Sequence, residues 1–415
     1  MNRALKVILI VIAAAVLLLG AFSGGFLVGR FTPPASGVSR TFPPVANTPS
    51  PEMNSATPEE LQSLFQPFWE AWDIVHEQYV DQPVDDEALM QGALRGMLDA
   101  LGDEHTSFMD PEEFKAANES LAGEYEGIGA YVDTDGEWMT IISPIPGSPA
   151  EAAGLRSGDA IIAVDGEDMT GVNPESVRQR VLGPAGTTIT LTIQRGTDEP
   201  FDVKITRARI TIRSAEGKML EDGIAYVQVT TFGDRTTPEL IAALEDLMAQ
   251  NPKGMILDLR NNGGGYLQTA VEVTSQFVGE GVVLYEQYGD GQRISYEAQP
   301  GGLAIDVPLV VLVNEGTASA SEIVAGAIQD HERGQLVGVT TYGKGSVQNW
   351  VPLSNDQGAV RVTIAKWLTP DERAIHDIGL TPDVVVEMTE EDYNNDRDPQ
   401  LDEAVEVLRG LLASQ

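Results

Sequence analysis

From Val7 to Val28 the chain carries no charged residue, a run of the length an α-helix needs to cross the hydrocarbon of a bilayer. Whatever folds as a water-exposed unit must lie beyond it. Arg3 and Lys6 precede the run on the side expected to face the cytoplasm, which sends the rest of the chain across the membrane. A cleaved signal peptide is the rival reading, but its apolar core would be shorter and an Ala-x-Ala site would follow before Arg30. The expectation is an uncleaved single-pass anchor over residues 1–30, in the cell membrane, with the bulk extracytoplasmic, on a periplasmic or extracellular face. Gly20/Gly24 and Gly25/Gly29 have the spacing of close-packing helices, which chance explains as well in a glycine-tolerant segment.

Six prolines among Ser, Thr and Ala make residues 31–57 a semi-rigid tether that cannot bury enough surface to fold. Over 58–120 the pattern is helical. Leu61, Leu64, Phe65, Phe68, Trp69, Trp72, Val75 and Tyr79 recur at three and four, predicting one amphipathic helix kinked at Pro67, with exposed aromatics suited to a homodimer contact. A second helix opens at Asp85 or Asp86 and closes at Gly102. Over 121–208 short β-rich runs take over, Ile128–Val132 and Trp138–Ile142 joined by an Asp133-Thr-Asp-Gly136 hairpin turn. Those aspartates are turn residues, because Trp138, Met139 and Thr140 break the ligand register of a calcium loop. Over 209–390 strands alternate with helices: Ile224–Val229, Pro238–Ala249, Met255–Leu259, Val307–Val313. An acidic segment with a helix over Leu401–Leu412 completes 391–415 and should pack on another element or a second subunit. The fold class is α+β multidomain: a transmembrane helix, a helical segment, a β-sandwich or barrel-like module and an α/β core.

With 63 acidic against 26 basic residues and a net charge of −37, the surface repels phosphate backbones, so nucleic acid is not an expected partner. The absence of cysteine removes thiol catalysis, thiolate metal sites and disulfides at once. No metal or cofactor is expected.

Chemistry concentrates after the strand ending at Val313. Asn314-Glu-Gly-Thr-Ala318 leads into Ser319-Ala-Ser-Glu322, the start of a helix, where outward backbone N–H groups and the helix dipole suit an oxyanion. The same Ser-x-x-Glu is a capping box, and on pattern alone Ser319 reads first as a helix N-cap. Past strand Leu336–Val339, Gly343-Lys344-Gly345 places one lysine between two glycines. As a general base it must shed its charge near neutrality, a drop of roughly three pKa units or on the order of 4 kcal/mol, which needs a closed apolar pocket. Otherwise it is a solvated turn cation. Gly338 to Lys344 mimics most of a phosphate-binding loop, but Gly345 stands where that loop needs Ser or Thr. A Ser-His-Asp triad through His331 or His376 stays open; Gly-x-Ser-x-Gly and Ser-x-x-Lys are both absent.

Together, Asn314–Asp330 and Tyr342–Gln348 resemble the signature of the C-terminal processing, or tail-specific, proteases. The resemblance implies Ser319 as nucleophile, Lys344 as its base and Gln348 as the residue that orients the lysine. Asp258-Leu-Arg-Asn-Asn-Gly-Gly-Gly265 is similar to the family's glycine turn. It implies an oxyanion hole from a backbone N–H of that turn, taken as Gly265 among its three glycines, with that of Ala320. Leu101–Phe114 resembles the family's helical segment and makes His105 structural. The middle module resembles a PDZ domain: Gly127-Ile128-Gly129-Ala130 matches its carboxylate-binding loop, and Ser148–Asp159 the helix and turn that follow. Such a bend can offer consecutive N–H groups to a peptide C-terminus while a strand edge pairs with the peptide. The partners implied are protein or peptide substrates with free C-termini. Where relatives often have Gly-Ser at the strand exit, this chain has Gly316-Thr317. Two rivals are a silent PDZ scaffold and an esterase, and a PDZ module gives no support to the second.

Overall fold

The structure, a computed structural model, describes residues 59–413 apart from 135, 390, 393, 394 and 396. The anchor and tether expected over 1–57 lie outside the described residues, as does Asp135 of the hairpin turn. Among the described residues no helix is long and apolar enough to cross a membrane.

The first helical stretch corrects the sequence reading. It is two helices, Glu59–Leu64 and Gln66–Gln78, broken at Phe65 rather than kinked at Pro67. Pro67 sits in the first turn of the second helix, where the N–H it lacks has no intrahelical partner to lose. No side chain of this second helix is buried, and Phe68, Trp69 and Ile74 are exposed. The next helix, Asp86–Asp99, is capped by Asp85, whose carboxylate accepts from the N–H groups of Glu87 and Ala88.

The middle module is an antiparallel sheet. Strands Ala130–Asp133 and Thr140–Pro144 pair across the expected hairpin, and Asp159–Val164, Thr188–Arg195 and Phe201–Thr206 extend it. Ile189, Leu191 and Ile193 alternate into a core that Val177 and Val181 of helix Pro174–Val181 close from one side. Strands Glu124–Gly127 and Ala208–Thr211 pair antiparallel, so the chain enters and leaves the module at one place.

The core domain is built on a six-stranded sheet, in the order Ala215–Met219, Ile224–Val229, Gly254–Asp258, Leu309–Val313, Gly334–Gly338, Val384–Val385. All pairs but the first are parallel. Its central strands read as unbroken apolar runs because both faces are covered. Met255, Leu257, Leu309 and Val311 face helices Thr236–Met248, Leu267–Thr274 and Ala320–Asp330, while Ile256, Val310 and Leu312 face helix Pro399–Ala413. That last helix therefore packs on its own domain's sheet. Arg260 pins its start, bonding Asp398 at 2.8 Å and Asp258 at 2.7 Å. A second, antiparallel sheet joins Ser107–Met109, Ala359–Leu368, Val282–Tyr288 and Arg293–Glu297, with Ser346–Pro352 also on Ala359–Leu368.

Leu408 is fully buried, and its side chain reaches so close to Gly254 that a Cβ there would meet it at 2.8 Å. Leu408→Ala should lower unfolding free energy by about 2–5 kcal/mol, read by urea denaturation; no measurable change would mean that the helix does not cover the sheet.

Candidate active site

Parallel strands carry their loops to one edge, and two of these loops meet. The first, Asn314–Ala318, is fastened to the glycine turn. Asn314 exchanges side-chain and backbone hydrogen bonds with Asn261 at 2.8 Å, and the Ala318 N–H donates to the Asn262 carbonyl at 3.0 Å. The buried Thr317 hydroxyl donates to the Leu259 carbonyl and accepts from the Asn314 N–H, both at 2.9 Å. Its role rests on a hydroxyl that serine also has, which is why Gly-Thr can stand here for Gly-Ser.

This fastening delivers Ser319 at φ 56° and ψ −115°, a left-handed conformation that a non-glycine residue adopts at a strain of about 1–3 kcal/mol. The glycine turn packs directly on it. A Cβ on Gly264 would lie 2.8 Å from both the Ala318 oxygen and the Ser319 Cβ, and one on Gly265 would lie 2.3 Å from the Phe232 oxygen. The Gly264 N–H is engaged by Asn262 Oδ1 at 2.9 Å. Ala320 is the first residue of the helix, where backbone N–H groups have no intrahelical acceptor.

Glu322 ties the two loops together. Fully buried, it accepts the Ser319 N–H at 2.8 Å and the Lys344 N–H at 2.9 Å on one oxygen, and the Gly343 N–H at 2.7 Å and the Thr341 hydroxyl at 2.6 Å on the other. Sharing one oxygen places the Ser319 and Lys344 nitrogens within about 6 Å of one another. Burial pushes the Glu322 carboxyl up from its usual range, and its four donors pull it back. The capping box and the nucleophile are thus not alternatives: Glu322 takes the Ser319 N–H and anchors the lysine loop as well.

The lysine loop owes its glycines to close backbone approach. A Cβ on Gly343 (φ 91°) would lie 2.8 Å from the Gly379 nitrogen, and one on Gly345 2.8 Å from the His376 nitrogen. A strand, Ser346–Pro352, follows where a phosphate-binding loop would start a helix. Trp367, buried, donates its indole N–H to the Lys344 carbonyl at 2.9 Å. Burial, then the charge of Arg361, push the Lys344 amine down to about 8, against the opposing pull of Glu322 and Asp103. Among the described residues no hydrogen bond joins its amine to the Ser319 hydroxyl.

Gln348 donates to Ser346 Oγ at 2.9 Å and Thr363 Oγ1 at 3.2 Å. Asp103 meets it at Thr363: its carboxylate bonds the Thr363 and Thr106 hydroxyls and the His105 N–H. Burial pushes Asp103 up, and these bonds more than offset it, holding the carboxyl below its usual range. His105 is thereby set against the site, 5.9 Å ring to ring from His376. Burial and the Lys344 charge hold His105 below its ordinary value. His331 is removed from consideration as a triad base. It caps the far end of helix Ala320–Asp330, about 18 Å from Ser319, and bonds the Val282 carbonyl.

In the middle module, Gly127 ends one strand and Ala130 starts the next. Between them the carbonyls are already engaged, Ile128's by the Ala150 N–H at 2.8 Å and Gly129's by Ile145 N–H and the Ser148 hydroxyl. The Ala130 N–H donates to the Tyr125 phenol.

Fold and site define a serine peptidase that carries a PDZ domain. Residues 223–386 match peptidase family S41, 140–195 a PDZ domain, and 40–113 the N-terminal domain of the activating protease CtpB. The chain is 41% identical over 327 residues to the carboxy-terminal-processing protease of Bartonella bacilliformis, covering 77% of this chain and 74% of that protein. It is 37% identical over 328 residues to the carboxy-terminal processing protease CtpA of Bacillus subtilis, covering 79% and 70%. A solved Bacteroides fragilis structure assigned to S41 shares the fold, at 18% identity and a TM-score of 0.53, over 82% of this chain and 96% of that one. The chain belongs to the carboxy-terminal processing proteases of family S41, which are serine proteases.

Replacing Glu322 with Gln would turn an amide N–H toward N–H and O–H donors. Glu322→Gln should lower unfolding free energy by roughly 2–4 kcal/mol and proteolysis at least tenfold. Wild-type stability, read by thermal melting, would remove Glu322 as the clamp.

Proposed function

We propose that this protease cleaves with a Ser319–Lys344 dyad, held off the outer face of the cell membrane by its N-terminal helix and tether, and that its PDZ domain takes the C-termini of protein substrates. The observation that carries the dyad is the Glu322 oxygen shared by the two backbones, supported by an amine whose charge burial disfavours. Ser319 Oγ attacks the scissile carbonyl while Lys344, as free amine, takes its proton and hands it to the departing amine. The N–H groups of Ala320 and Gly265 receive the oxyanion, and Gln348 orients the lysine from the neighbouring strand. The strain at Ser319 supports the same reading, since left-handed non-glycine backbone clusters at reacting positions. In the PDZ domain, the inward-turned carbonyls of Ile128 and Gly129 favour a bend whose N–H groups face a peptide carboxylate, with Gly127 and Ala130 flanking it. The uncharged run before Arg30 supports the anchor, and the exposed aromatics of Gln66–Gln78 support a homodimer.

Ser319→Ala and Lys344→Ala should each cut the rate on an unfolded protein substrate by about 10³-fold or more, with circular dichroism unchanged; wild-type turnover by either would end the assignment. Because the free amine is the working form, kcat/KM should climb with pH up to about 8 and level above it. A flat profile between pH 6 and 9 would contradict a lysine base.

A further inference from the structure

Behind the glycine turn runs a short strap, Thr231–Gly233, between strand Ile224–Val229 and helix Thr236–Met248. Its middle residue brackets Gly265. The Phe232 N–H donates to the Gly264 carbonyl at 2.9 Å, and the Phe232 carbonyl accepts the Tyr266 N–H at 2.7 Å, a parallel bridge with Gly265 at its centre. The Thr231 hydroxyl adds a bond to the same Gly264 carbonyl at 3.3 Å. A peptide unit is planar and trans, so the Gly265 N–H points opposite to the Gly264 carbonyl with which it shares that unit. With the carbonyl held by the strap, this N–H faces the other way. Gly265 is exposed, and among the described residues its N–H has no acceptor, whereas the Gly264 N–H is spent on Asn262 Oδ1.

The strap in turn is closed by one side chain. Thr236 is fully buried, and its hydroxyl accepts the Gly233 N–H and donates to the Thr231 carbonyl, both at 2.9 Å. A single oxygen therefore bonds on either side of Phe232. Thr236 opens its helix, yet its hydroxyl bonds the strap rather than the helix's own first N–H groups. From the other side, the Leu121 carbonyl accepts the Asp234 N–H at 3.0 Å and lies so near Gly233 that a Cβ there would meet it at 2.0 Å. Phe232 is itself fully buried, which leaves the strap no room to slide.

We propose that Thr236 is a positioning residue for proteolysis: by fixing the strap on both sides of Phe232, its hydroxyl holds the Gly264–Gly265 peptide in the orientation that presents the Gly265 N–H to the oxyanion. The inference rests on Gly265 as an oxyanion donor in the Ser319 mechanism. Such a donor works when it is aimed in advance at the place where charge will develop, and a hydrogen bond weakens steeply as its angle closes. Thr236 acts through Phe232 and not on the substrate.

The test compares wild type, Thr236→Val, Thr236→Ala and Thr236→Ser in the full chain, on one peptide substrate and on two peptides of one sequence ending in an aldehyde and in the corresponding alcohol. Ser319 Oγ adds to the aldehyde carbon, its proton passing to Lys344 and the carbonyl electron pair to the oxygen, which then sits where the oxyanion would. The alcohol binds without that step. Thr236→Val and Thr236→Ala should lower kcat by about five- to twentyfold with KM within about twofold of wild type, and weaken the aldehyde by a similar factor while leaving the alcohol unchanged. Thr236→Ser, which keeps the hydroxyl, should return both toward wild type. Circular dichroism and thermal melting set the folded fraction, and Thr236→Ala carries the reading if Thr236→Val does not fold. Wild-type kcat without the hydroxyl would overturn the proposal. So would an equal weakening of aldehyde and alcohol, which would make Thr236 a packing residue only, or a Thr236→Ser as slow as Thr236→Val. Ser319→Ala run in parallel separates the two claims: if it is inactive and Thr236→Val is not slowed, only this inference fails, whereas turnover by Ser319→Ala ends the dyad itself.

Discussion

One buried carboxylate holds the site together. Glu322 sits where a helix start, a strand exit and a glycine-flanked loop converge, and each of its four hydrogen bonds belongs to a different donor. In a dry interior such a group is stable only when fully satisfied, and once satisfied it fixes the position of everything bonded to it. The backbones of Ser319 and Lys344 are therefore set by one atom. Around that point the strain at Ser319 is sustained by the Asn261–Asn314 and Thr317–Leu259 bonds, which leave the loop no relaxed alternative.

A second assembly reaches the same place from the other sheet. Strand Ala359–Leu368 pairs with the strand after Lys344 and with Ser107–Met109, a segment some 250 residues earlier in the chain. Asp103 stitches that early segment down through Thr106 and Thr363, and in doing so brings His105 to the lysine. The resemblance implies a structural His105; its backbone N–H belongs to this network, and its ring lies 5.9 Å from that of His376.

Both assemblies need a rigid floor. The parallel sheet supplies it by burying alternate side chains against helices on opposite faces, so that its strand ends present their loops from a fixed plane. Arg260, bridging Asp258 and Asp398, links the base of the glycine turn to the start of the C-terminal helix, so the helix on the far face also braces the loop at the site.

Much of this was written in the sequence. Periodicity and turn residues located the hairpin, the alternating strands and helices, and the helix beginning beside Ser319, because those signals are local and act within a few residues. The motif around Ser319 and Lys344 was legible for the same reason. Pro67 misled: a proline in an apolar helical pattern reads as a kink, while the chain used it to begin a new helix. What sequence could not settle was convergence. Ser319 read as a helix cap as well as a nucleophile, and Lys344 as a solvated turn cation as well as a base. Their roles depend on which backbones come within 3 Å of each other across tens to hundreds of residues. Distances of that kind are fixed by sheet register and packing, and no local pattern encodes them.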